Sequence, residues 1–207
     1  MKVFSSAMVV LVAAAAFVIA ADKPTKKPKE FRATCPVLGE PAEKDALVMF
    51  QGKKLYFCCQ SCPDIFNVTP RIYLTKVHLQ WYQTGEIVQV ACPLKGHVLD
   101  PDLSVTITVG GEKLKLCCPG CQAKLGKLKG DKKIDAVFKN IARGFTLQSK
   151  CPVSGKPIKA GHVVEYRKQK VYFCCPKCPK VFSDGPKKFL SKLPQLKKSP
   201  AKKKPKK

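Results

Sequence analysis

The chain has 207 residues, with 39 Lys and Arg against 14 Asp and Glu, a formal net charge of +25 and 12 cysteines. Its 45% hydrophobic content excludes wholesale disorder, and its three histidines leave little room for a His-rich metal site. The acidic residues are scattered without a pair suited to acid–base catalysis. No phosphate loop, serine nucleophile elbow or Gly-rich dinucleotide motif is present.

In chain order, the first expected element is a secretory signal peptide over residues 1–21. Lys2 gives a short positive start, Ala7 to Ala20 is an uninterrupted apolar run, and small residues at Ala20 and Ala21 precede a polar segment. A membrane anchor normally needs about 20 apolar residues, and this run is shorter. No cysteine stands at the cleavage point, which argues against a lipoprotein. The chain is expected to be exported, periplasmic or extracellular, with a basic linker over 22–32.

Three copies of one small unit follow. Cys35-Pro-Val-Leu-Gly39, Cys92-Pro-Leu-Lys-Gly96 and Cys151-Pro-Val-Ser-Gly155 are one motif, each followed by a second: LYFCCQSC (55–62), LKLCCPGC (114–121) and VYFCCPKC (171–178). All 12 cysteines fall in these motifs, four per unit. The units are set at 33–85, 90–145 and 149–194, with a Lys-rich tail over 195–207 expected to be disordered. Alternating apolar residues around turns predict hairpins at 47–57, 105–116 and 163–173, the second with a Gly-Gly turn. Pro119 and Pro176 suit the first position of a helix, and Pro70 and Pro186 are each expected to end one short helix and open another. Apolar positions from Arg71 to Gly85 predict a longer helix that also touches a neighbouring unit, with Ile134 to Ile141 as its counterpart.

Units of roughly 50 residues have marginal cores and usually need metals or disulfides. Offsets of three and four residues share a helix face, so Cys59 or Cys58 can join Cys62 around one metal. A helix N-terminus is expected to lower the thiol pKa there, and the backbone N–H groups of the Cys-Pro turn to donate to the Cys35 sulfur. Cys-Pro turn, hairpin and helix together give the layout of a treble-clef zinc finger, making the fold class three tandem small α+β metal-binding modules. Thiolate-rich sites suit Zn(II) or Cu(I).

CPVLG, GKKLYFCCQSC, Phe66 and Pro70-x-x-Tyr73 resemble the YHS domain and its relative the TRASH domain. The third unit matches equally well; the second is degenerate, with Leu125 in place of the phenylalanine and no clear later proline. The resemblance implies a treble-clef-like fold and a role in heavy-metal binding, sensing or trafficking. It also implies ligands at Cys35, Cys58 and Cys62, and at Cys151, Cys174 and Cys178. In the second unit, where the hairpin is two residues longer, the pattern falls on Cys92, Cys117 and Cys121. Cys59, Cys118 and Cys175 are additions to the family pattern. They either complete four-thiolate sites or turn away.

Disulfides are the competing reading, since an exported chain meets oxidising conditions. Cys58–Cys59 is a poor pair, because adjacent Cα atoms lie about 3.8 Å apart against the usual ~4.4–6.8 Å. Cys35–Cys58 with Cys59–Cys62, and Cys35–Cys59 with Cys58–Cys62, both remain open. A thioredoxin-like redox context is absent. His97 and His162 recur in no other unit and read as surface residues, and His78 reads as structural. The expected function is nonenzymatic binding of Zn(II) or Cu(I), about one ion per unit, for sensing, buffering or trafficking. The alternative is a disulfide-stapled repeat protein that binds a protein partner or an anionic surface. The Lys-rich tail adds nonspecific attraction to polyanions, and no small-molecule substrate is expected.

Overall fold

The computed structural model describes residues 31–196. The expected signal peptide, residues 22–30 of the linker and the lysines from 197 onward lie outside the described residues.

Each unit begins with the Cys-Pro turn and continues into a two-stranded antiparallel hairpin. Strands β1 (Leu47–Phe50) and β2 (Lys53–Tyr56) form the first; the short β3 (Val88–Gln89) follows in the next linker. Strands β4 (Val105–Val109) and β5 (Glu112–Leu116) form the second hairpin. After the short β6 (Phe145–Thr146), strands β7 (Lys159–Tyr166) and β8 (Gln169–Phe173) form the third, which is longer than expected and irregular between Lys159 and Val163. All three hairpin turns place both central residues at positive φ: Gln51 and Gly52, Gly110 and Gly111, Arg167 and Lys168. That backbone matches the right-handed twist of paired strands.

A helix leaves each double cysteine. Helix α1 (Cys62–Val68) ends before Pro70, which opens the 3-10 turn Pro70–Tyr73 and then α2 (Leu74–Thr84). The long helix expected from Arg71 therefore starts three residues later. In the second unit, α3 (Pro119–Gly126) has Pro119 in its first turn, and α4 (Gly130–Phe138) begins earlier than the predicted Ile134. In the third, Pro176 caps rather than begins α5 (Lys177–Asp184), and Pro186 opens a 3-10 segment to Lys192. A further turn at Pro194–Leu196 puts Leu196 against the third unit's core, so the first two residues assigned to the tail, 195 and 196, are structured.

The result is a small mixed α/β fold with three cysteine-cluster units. Equivalent side chains fill the floor of each: Leu55, Phe57 and Phe66; Leu114, Leu116 and Leu125; Val171, Phe173 and Phe182. Units one and two share one continuous core, whereas the third has its own. The junction of the first two is built by α2. Its His78 Nδ1 lies 2.8 Å from the Phe138 carbonyl at the end of α4, and Tyr82 donates to the Lys113 carbonyl on β5. Lys76 pairs with Asp131 at 3.2 Å, and β3 pairs with β6. His78 is thus structural, as expected. No helix among the described residues is long and apolar enough to cross a membrane.

The tightest point of this junction is Gly110, at φ +57°, where an added Cβ would stand 2.5 Å from Leu79 Cδ2. Gly110→Ala is therefore expected to lower the unfolding free energy by about 1–2 kcal/mol through the left-handed backbone, plus repacking of Leu79. Urea denaturation checks this. Adding Leu79→Ala should relieve the steric part of the Gly110→Ala loss but leave the backbone part.

Candidate metal centres

The Cys-Pro turn has the same hydrogen bonds in every unit. The Cys35 N–H donates to the Glu40 carbonyl and the Gly39 N–H returns to the Cys35 carbonyl, at 2.8 and 2.9 Å. Cys92 with His97 and Gly96, and Cys151 with Lys156 and Gly155, repeat both bonds at 2.7–2.9 Å. Gly39, Gly96 and Gly155 all have φ between +74° and +82°, a conformation that disfavours a side chain. The turn is thereby closed on itself, with the first cysteine buried at its base.

The hairpin then delivers the second cysteine and the helix start the third. Cys35, Cys58 and Cys62 bring their sulfurs within 4.8 Å of one another, as do Cys92, Cys117 and Cys121, and Cys151, Cys174 and Cys178. Two thiolates on one zinc at ~2.3 Å with tetrahedral angles stand about 3.8 Å apart. The Cys58–Cys62, Cys117–Cys121 and Cys174–Cys178 sulfurs lie 3.7 Å apart, and Cys92–Cys121 3.9 Å. Each unit thus has three sulfurs that could hold one metal ion; the identity of the ion is not fixed by this geometry.

The additional cysteines lie beside these triads. Cys59 Sγ is 3.2 Å from Cys62 Sγ and 3.3 Å from Ser61 Oγ, and Cys175 Sγ is 3.4 Å from Cys178 Sγ. In the second unit Cys118 Sγ is 3.9 Å from Cys117 Sγ. All twelve thiols are free in the structure.

Protonation divides each triad. Burial pushes the Cys35 thiol up, but the backbone N–H groups of Leu38, Cys58 and Val37 outweigh it and hold the thiol below its usual value. Burial is likewise overcome at Cys92 by backbone N–H groups, Cys117's first. At Cys151 the Ser154 hydroxyl and N–H outweigh burial and bring the value to about 6. The turn N–H groups therefore act as expected. The helix-start cysteines do the opposite of what their position predicts: burial, reinforced by neighbouring sulfurs, drives Cys62 far up and Cys121 and Cys178 to about 12. Desolvation and nearby thiolates overcome the partial charge of the helix end. The half-buried additional thiols are low instead, with Cys59 at about 6 through Ser61 and Cys175 at about 7 through Cys178.

A glutamine amide ties turn to hairpin in every unit, buried in the first and third and half-buried in the second, a feature that the cysteine pattern does not reveal. Gln148 donates to the carbonyls of Tyr172 and Lys150 at 2.6 and 3.0 Å and accepts from the Tyr172 N–H at 3.0 Å. Gln89 makes the same three bonds to Lys115 and Ala91. In the first unit the amide comes from Gln80 on α2, bonded to Tyr56 and Thr34. The partners are always the residue before the first cysteine and the residue two before the double cysteine. The side chain therefore fixes the distance between the first ligand and the other two. The signal was available in part, since Gln89 and Gln148 each stand three residues before a Cys-Pro motif.

No protein-family model, curated protein or solved structure matches this chain.

Two outcomes follow from this geometry. Gln148→Leu leaves buried backbone groups unpaired at roughly 1–3 kcal/mol each, so it should destabilise the third unit and weaken metal there alone. Site-resolved metal titration of the variant checks this. Second, Cys58 and Cys62 are raised and hold protons at neutral pH, while Cys35 is lowered. Loading the first site must then expel at least two protons, and its apparent affinity should fall by about tenfold per proton for each pH unit of acidification. Chelator-competition titrations of Zn(II) from about pH 8 to 6 would show it; a flat profile would mean that these thiols do not hold the metal.

Proposed function

We propose that the chain is an exported, nonenzymatic heavy-metal-binding protein that holds one thiophilic ion, Zn(II) or Cu(I), in each of its three units, for sensing, buffering or trafficking. The observation that carries this reading is the threefold convergence of cysteines from a turn, a hairpin end and a helix start, all within 4.8 Å. Sulfur-only triads favour soft and borderline cations over Mg and Ca. The succession of turn, hairpin and helix supports a treble-clef-like reading, and the motif resemblance to YHS and TRASH domains supports a role in metal handling. Export rests on the N-terminal apolar run, and polyanion attraction on the terminal lysines, as properties of the sequence.

Metal analysis of protein purified without chelator, combined with thiol counting, tests the reading. About one metal per unit, with thiols that become reactive after chelation, is expected. Neither metal nor reactive thiols would favour the disulfide-stapled alternative. Cys35→Ser, Cys58→Ser or Cys62→Ser should each remove about one metal from the chain, and loss of a structural zinc withdraws on the order of 10 kcal/mol from a small unit. Cys59→Ser should cost less, since that sulfur stands outside the triad. Equal damage at Cys59 and Cys35 would instead establish a four-thiolate site.

A further inference from the structure

The three centres differ at one backbone slot. The residue whose carbonyl accepts the N–H of the first cysteine is Glu40 in the first unit, His97 in the second and Lys156 in the third. This bond holds the residue's backbone beside the first ligand in every unit, and the side chains carried there are a carboxylate, an imidazole and an ammonium. Only the imidazole is a borderline ligand that commonly joins thiolates around zinc.

In the second unit the slot is braced further. The Arg143 guanidinium donates to the Leu94 carbonyl at 3.0 Å, and Arg143 packs at 3.4 Å from where a Cβ on Gly96 would stand. This brace holds the loop that carries His97. The His97 Nδ1 lies 3.9 Å from Cys117 Sγ, while a zinc-bound nitrogen and sulfur stand about 3.6 Å apart. His97 is exposed and stands outside the 4.8 Å cluster of the three sulfurs, so its ring must turn inward to join them, and no core residue has to move for it to do so.

We infer that His97 is a fourth ligand of the second centre, completing a Cys92–Cys117–Cys121–His97 site for Zn(II), whereas the other two centres have no imidazole in this slot. This inference rests on the metal-binding reading above. It also revises the assignment of His97 as an unconnected surface residue, which followed from requiring the same residue type in all three units. Three thiolates and an imidazole satisfy zinc's four-coordinate preference and leave no position open. The second centre would then retain its ion, while the first and third keep a position for an incoming ligand or exchange partner.

The test follows the imidazole nitrogens of the chain's three histidines by long-range 1H–15N NMR while Zn(II) is added to reduced protein. One His97 ring nitrogen should move to a metal-bound shift, and those of His162 should not. His97→Ala should weaken Zn(II) at a single site by at least the ~10–100-fold typical of losing an outer-shell partner. His97→Cys should restore tight binding and His97→Lys should not. Co(II) loading gives a separate readout of the triads through thiolate charge-transfer absorption. If the triads load while the His97 nitrogens stay unmoved and His97→Ala binds normally, His97 is not a ligand and the metal-binding reading stands. If no thiolate–metal absorption appears at any centre, both fall together.

Discussion

Crowding of sulfur is the constraint from which the rest of the fold follows. Three thiols held within 4.8 Å in a largely buried pocket cannot all ionise without a cation. One sulfur takes the backbone N–H groups and is lowered, while the helix-start sulfur keeps its proton far above the usual range. A soft or borderline cation would resolve this conflict by replacing the protons. Everything around the triad fixes the sulfurs in place: the closed glycine turn, the buried glutamine and the apolar floor of Phe57, Phe66 and their equivalents.

The same small frame is used in two architectural settings. Units one and two merge through α2, which carries Trp81 and Leu79 into a shared core and supplies the first unit's glutamine clamp. The third unit lacks such a helix and closes its own core with Phe189, Leu190 and Leu193 from 3-10 turns. The first and second clusters therefore sit on one shared core and the third on a smaller one.

Much of this was legible in the sequence because repetition removes ambiguity. Four cysteines recurring three times at nearly fixed spacing point to three clusters of sulfur, with the choice between Cys58 and Cys59 left open, and alternating apolar residues around turn-forming pairs locate the hairpins. What escaped was carried by residues outside the repeat. Gln80 performs in the first unit the task that Gln89 and Gln148 perform from a different sequence position, so no motif links all three. His97 is exposed, as its lack of an equivalent in the other units predicts, and the backbone role it shares with Glu40 and Lys156 is visible only in the fold. The thiol values at the helix starts depend on burial and on neighbouring charge, which a local rule about helix ends does not contain.

The central claim is that each triad is a metal centre rather than a set of cross-links. X-ray absorption at the metal edge, on protein loaded to one ion per unit, measures the donor set directly. The account requires an average of at least three sulfurs per metal at about 2.3 Å, with a minor nitrogen contribution. A shell made only of oxygen and nitrogen donors, or failure to load because the sulfurs are already joined at about 2.0 Å, would contradict it.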